Sequence, residues 1–296
     1  MDIGSEWSRS IIPIPRQDQQ HQRFIQGKLV YEAWYHIDEF HRRVVPRAEK
    51  SPKPKRYALF FVDSNTFGEG LWDQEAIPAL FSNLLPEYRS YTYAYQGYGP
   101  QQMLGRLELG FAPGELLEES GIGIYVYYDF HVERANGILP EIAWAGGRHP
   151  SYALNSEGVP ERKGLFDDTH PWRSRFFWFL GKSYILRGRM HLVAPRLRKH
   201  YELTCAIIRE SNRRFEALHK GNEFFVALPE GELLKHDSSM RRECFEKYKI
   251  KIIDIPFPSD KRLEDLTYAG DFHWNREGAK WIAGELVNYF KNRSGG

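Results

Sequence analysis

Ser64 lies two residues past a short apolar run, Tyr57-Ala-Leu-Phe-Phe-Val62, in a polar turn that carries Gly68 and Gly70. Near the other end of the chain, Gly270-Asp-Phe-His-Trp274 places Asp271 and His273 two residues apart. A serine hydroxyl is a poor nucleophile near neutral pH until an imidazole within hydrogen-bond reach takes its proton during attack. His273 suits that role. Asp271 suits the complementary one, accepting from the other ring nitrogen, fixing the tautomer and stabilising the imidazolium. A tetrahedral intermediate also needs donors aimed at its oxyanion, and the backbone N–H groups of Ser64 and Gly97 are expected at neighbouring strand ends. Glycine permits that close approach and any positive φ. Taken alone, Ser64 in a Gly-rich turn reads as a capping residue, and Asp63 as a brace for the same turn. The order Ser64, Gly97, Asp271, His273 favours acyl transfer through a serine intermediate, with no metal or organic cofactor.

The elements that position these residues alternate. Tyr57 to Val62 reads as a strand buried on both faces, followed by a helical stretch from Gln74 to Leu85 that stops at Pro86. Further strands are expected at 91–95, 122–128, 223–228 and 250–255, with helices over 101–109, 195–220, 244–248 and 279–290. Strands alternating with helices imply a mostly parallel sheet covered on both faces. Residues 1–28 are polar, with Pro13, Pro15 and runs of Gln and His, and read as a flexible arm. The rest, 29–296, is expected to form one domain, with the Gly/Pro-rich 136–195 stretch as an inserted cap or rim.

Three segments, Phe61 to Gly70, Tyr95 to Leu104 and Gly270 to Ala283, together resemble the SGNH (GDSL-like) hydrolase family. The first resembles the nucleophile block, although Val62 stands where that family has its leading Gly. The second resembles the block whose Gly amide, here Gly97, serves the oxyanion hole. The third resembles the block supplying Asp271 and His273, spaced Asp-x-His rather than the more usual Asp-x-x-His. The resemblance implies a three-layer α/β/α sandwich with a flavodoxin-like sheet and an esterase or deacetylase activity on small acyl esters or acylated carbohydrates. It leaves open an O-acyltransferase acting on a glycan, and a pseudoenzyme serving as a binding module. The family's third block normally supplies an oxyanion asparagine. Here Tyr127-Tyr-Asp-Phe-His131 has none, and His131 is expected as the substitute donor.

Composition bounds the partners. The chain has 296 residues, 42% hydrophobic and 15% aromatic, and a formal net charge of +2, which gives no electrostatic argument for nucleic acid. No apolar stretch approaches the roughly 18 residues that span a bilayer. Cys205 and Cys244 match neither a disulfide framework nor a paired metal motif and are expected as buried or free thiols. His36, His41, His149, His170, His191 and His200 lack metal-ligand spacing, and Gly68-x-Gly70 lacks the Lys-Ser/Thr ending of a phosphate loop. The expected location is cytoplasmic if the chain is complete and extracytoplasmic if a leader or anchor has been removed. Oligomeric state is not legible.

Overall fold

The computed structural model describes residues 18–49, 51–138, 148–181, 197–230 and 240–294. Within them lie strands β1 (Gln19–Ile25), β2 (Lys28–Tyr35), β3 (Arg56–Val62), β4 (Tyr88–Ala94), β5 (Gly121–Val126), β6 (Pro150–Leu154), β7 (Pro160–Leu165), β8 (Glu223–Pro229) and β9 (Lys251–Ile255). The helices are α1 (Ser64–Phe67), α2 (Ile77–Leu84), α3 (Pro100–Leu109), α4 (His131–Ala135), α5 (Phe166–Thr169), α6 (Pro171–Gly181), α7 (Arg198–Leu218), α8 (Leu263–Leu266) and α9 (Arg276–Ser294). A π-helical turn spans Met240–Glu246.

The five strands read from the sequence form one parallel sheet in the order β4-β3-β5-β8-β9. Tyr57 to Val62 are all buried in its centre. Ala58 and Phe60 pack with Ile77, Phe81 and the apolar face of α9, whereas Tyr57, Leu59 and Phe61 pack with Met103, Leu107, Ile208 and Phe215 on the other side. One strand thus feeds two cores, which is why it reads as an unbroken apolar run rather than an alternating one. The architecture is a three-layer α/β/α sandwich. From β3 the chain moves outward to β4 and then crosses back to β5 on the other side, so the strand order reverses at the carboxyl ends of β3 and β5. Open α/β sheets bind their ligands at such a reversal, and Ser64 stands two residues past the end of β3.

Two expectations need correction. Residues 19–25 do not trail as an arm: they pair antiparallel with β2, from Gln19 opposite Tyr35 to Ile25 opposite Lys28. In the 136–195 stretch, β6 and β7 form an antiparallel hairpin and α5 and α6 follow it; residues 139–147 and 182–195 lie outside the described residues. Cys205 and Cys244 are not free thiols. They form a disulfide, with Cα atoms 5.6 Å apart, that ties α7 to the π-helical turn.

Candidate active site

The turn after β3 is built around Asp63. Its carboxylate accepts from the N–H groups of Asn65 (3.1 Å) and Thr66 (3.2 Å), capping α1 and presenting Ser64 in its first turn. Gly68, in the left-handed region at φ 85°, ends that helix after one turn. Val62 has φ 118°, a region that a β-branched residue occupies only under constraint. It is the position where the resemblance expects glycine, the residue that adopts a positive φ most easily. From outside the sheet, buried Arg43 grips the same turn, donating to the carbonyls of Phe67 (2.6 Å), Gly68 (2.8 Å) and Leu71 (2.5 Å) and to Asp73 (2.7 Å).

The loop before α9 meets this turn. Ser64 Oγ lies 2.8 Å from Nε2 of His273, whose Nδ1 lies 2.5 Å from Asp271 Oδ1. The two-residue spacing suffices because the loop curls: the His273 N–H donates to the same carboxylate at 3.0 Å, and Asp271 N–H bonds the Tyr268 carbonyl. Trp274 fastens the loop from both ends, its N–H donating to Asn65 Oδ1 (3.1 Å) and its indole N–H to the Tyr128 hydroxyl (2.8 Å). Asn275 then caps α9, accepting from Glu277 and Gly278.

Charge is arranged to favour an imidazolium. Burial works against protonation of His273, but the hydrogen bond with Asp271 and the negative charges of Glu69, Asp271 and Asp63 outweigh it and raise its pKa. Asp271 is held below the usual carboxylate range: burial opposes its charge, while the bonds from the His273 ring and backbone, and Arg23 at 3.4 Å, favour it.

Gly97 occupies the turn after β4, with φ 75°. Val62 pairs with Ala94 and the Tyr95 N–H donates to the Val62 carbonyl, so the Gly97 turn lies beside the Ser64 turn. Among the described residues, no hydrogen bond uses the N–H of Ser64 or of Gly97.

His131 is brought elsewhere. It is fully buried beneath the nucleophile turn, where its Nδ1 accepts from the Tyr128 N–H at 3.2 Å, leaving the proton on Nε2, which faces Asp63 at 3.3 Å. Its one N–H is thereby committed to Asp63, and it has no donor for an oxyanion. Burial pushes the imidazole down to about 4, against the pull of Asp63, so it is neutral at pH 7. Asp63 stays ionised: burial opposes its charge, but the bond from His131, Arg134 at 3.8 Å and the Thr66 N–H hold its pKa down. Arg134 also donates to the Tyr98 carbonyl.

Sequence reasoning missed Glu69. Its Oε1 accepts from the Tyr31 hydroxyl at 2.9 Å, and its Oε2 stands 3.4 Å from His273 Nε2, the nitrogen that bonds Ser64. A charged residue between two glycines in the nucleophile turn was the available signal. Nothing in the sequence pointed to Arg23 or Tyr31, because β1 and β2 bring them to the site from the stretch before the parallel sheet.

No family model and no curated protein matches the chain. Similar solved structures include the acetyl xylan esterase Est2A from the rumen bacterium Butyrivibrio proteoclasticus, with 13% identity, a TM-score of 0.46, and coverage of 82% of this chain and 65% of that one. The chain therefore spans slightly less than two thirds of that relative's length. A carbohydrate esterase, whose active site displays divergent catalytic and non-catalytic binding functions, is 11% identical with a TM-score of 0.48, over 88% of this chain and 70% of that one. A member of the lipolytic G-D-S-L family from Veillonella parvula is 12% identical with a TM-score of 0.45, over 80% and 98%. These likenesses are distant, and the chemistry assigned below rests on side-chain geometry.

Proposed function

We propose that the protein is a serine-dependent carboxylic ester hydrolase, acting on small acyl esters or acylated carbohydrates, with Ser64 as nucleophile, His273 as base and Asp271 as the orienting carboxylate. The observation that carries this reading is the continuous hydrogen-bond chain from Ser64 Oγ through His273 to Asp271, at 2.8 Å and 2.5 Å. As Ser64 Oγ attacks the ester carbonyl, its proton passes to His273 Nε2, and the growing negative charge falls on the carbonyl oxygen. The N–H groups of Ser64 and Gly97 are the donors assigned to that oxyanion. Collapse breaks the bond to the leaving alcohol, which takes the proton from Nε2 and departs, leaving an acyl group on Ser64. Water then gives its proton to Nε2 and attacks the acyl carbon; Ser64 leaves with the proton returned, and the carboxylic acid is released. None of these steps calls on a metal or organic cofactor.

With only two backbone donors assigned, the oxyanion hole lacks the side-chain donor that the resemblance implies. Loss of one such donor typically costs about 2.7–4 kcal/mol of transition-state stabilisation, so a slow enzyme is expected. The test is hydrolysis of p-nitrophenyl acetate, butyrate and octanoate by the protein and by Ser64→Ala. We expect turnover of at least one ester and a fall of more than roughly a thousandfold in the variant. Equal rates in the two proteins contradict the reading.

A further inference from the structure

Glu69 has no part in the proton transfer described above, yet its position is constrained from several sides. Tyr31 on β2 donates to Oε1 at 2.9 Å, and His21 on β1 lies 3.8 Å from the same oxygen. Burial and the Glu69 carboxylate both raise the pKa of the Tyr31 phenol, so it remains a donor. These contacts fix the carboxyl plane and leave Oε2 facing His273 Nε2 at 3.4 Å. The Glu69 side chain is 12% exposed and that of His273 22%, so both keep a solvent-facing edge. Phe272, between the two acid-base residues of the loop, is 81% exposed and offers an apolar surface beside them.

Two acceptors facing the same space have a chemical consequence. When Nε2 carries the proton taken from Ser64, Glu69 supplies a second negative partner for the imidazolium. When the ring is neutral, Oε2 remains an acceptor in the region where an alcohol leaves or arrives. It attracts hydroxyl donors there and repels an anionic group.

Resting on the assignment of Ser64 and His273 above, we propose that Glu69, oriented by Tyr31, is a positioning and specificity-determining residue: it steadies protonated His273 and accepts a hydrogen bond from a hydroxyl of the substrate's alcohol half. Esters of neutral, hydroxyl-bearing alcohols are accordingly favoured over esters whose alcohol half is anionic. No bond to Glu69 is made or broken, and the proton returned to the alcohol is the one held on Nε2. The groups facing His273 are Asp271 from its own loop, Glu69 after α1 and Asp63 at the start of α1, with Tyr268, Arg23, His21 and Tyr31 next to these carboxylates. Glu69→Gln removes one of the three negative charges that raise the His273 pKa.

The experiment compares Ser64→Ala with Ser64→Ala/Glu69→Gln by NMR, following the His273 ring against pH and against 6-O-acetylglucose as probe. Neither readout needs turnover. We expect a lower His273 midpoint in the double variant and a roughly tenfold weaker Kd for the probe, the size of one lost hydrogen bond to a charged group. Tyr31→Phe in place of Glu69→Gln is expected to move both readouts in the same direction by less. In proteins that retain Ser64, Glu69→Gln is expected to raise KM for 6-O-acetylglucose relative to p-nitrophenyl acetate, whose leaving group has no further hydroxyl, and to shift the acid limb of kcat/KM to lower pH. An unmoved His273 midpoint, or an unchanged probe Kd, overturns the proposal. Inactivity of the protein toward every ester, with both NMR shifts present, refutes the hydrolase reading and with it the specificity role, and reduces Glu69 to a binding contact beside His273.

Discussion

Buried His131 shows how a correct residue can receive the wrong role. The sequence marked it as the substitute donor where the block has no asparagine, but spacing along a chain cannot report which way a ring points. In the structure it lies under the nucleophile turn and spends its only N–H on Asp63. That contact makes a stability prediction with a defined sign. The folded imidazole titrates at about 4 against an ordinary value of 6.5, so the unfolded chain takes up the proton first as pH falls. Stability is expected to drop through the window from about pH 6.5 to pH 4, by up to about 3 kcal/mol from this residue, with no further His131 contribution below it. Asp63, whose folded pKa is depressed, adds a loss in the same direction as pH falls further. Urea melts across this range check the prediction: His131→Gln keeps an N–H donor for Asp63 and should flatten the slope above pH 4. A slope identical to that of the unsubstituted protein contradicts it. Ser64, Asp271 and His273, by contrast, were legible as residues that the fold brings into hydrogen-bond contact, because each sits just past a strand end or in a short polar loop.

At the scale of elements, the parallel strands were readable because burial on both faces leaves a continuous apolar run, and α7 and α9 because of their apolar periodicity. The β1–β2 hairpin was not readable. Its strands carry Gln, His, Arg and Glu on the exposed face, and only Tyr31, Ala33 and Tyr35 of β2 are buried, too sparse a pattern to separate it from a solvated arm. The hairpin nevertheless brings Arg23 to Asp271 and Tyr31 to Glu69, and the segment after it supplies Arg43. Arg43 forms a second support for the nucleophile turn, with its guanidinium stacked 4.5 Å from the Tyr35 ring centroid and 4.9 Å from that of Phe67. Arg43→Met is expected to destabilise the protein by about 3–5 kcal/mol, because Asp73 is left as a buried charge without this partner. Thermal or urea unfolding measures it, and a change below about 1 kcal/mol, the usual range of a surface pair, contradicts the assigned role.

Across the whole molecule, a parallel sheet covered by helices on both faces follows from the alternation of strands and helices, whereas the strand order, and with it the reversal between β3 and β5 beside Ser64, comes from the structure. The disulfide did not follow. Cys205 and Cys244 are separated by 39 residues, and only the packing of α7 against the π-helical turn brings them together. A cross-link over that separation contributes about 3–4 kcal/mol in the chain-entropy account. No helix among the described residues is long and apolar enough to cross a membrane. Every element named above converges on one claim, that Ser64 is a nucleophile activated by His273. The most direct measurement is labelling with a fluorophosphonate probe, followed by mass mapping of the modified residue in the unsubstituted protein, Ser64→Ala and His273→Ala. The account predicts a single adduct on Ser64, absent in Ser64→Ala and strongly slowed in His273→Ala; an unlabelled protein, or an adduct on another residue, would contradict it.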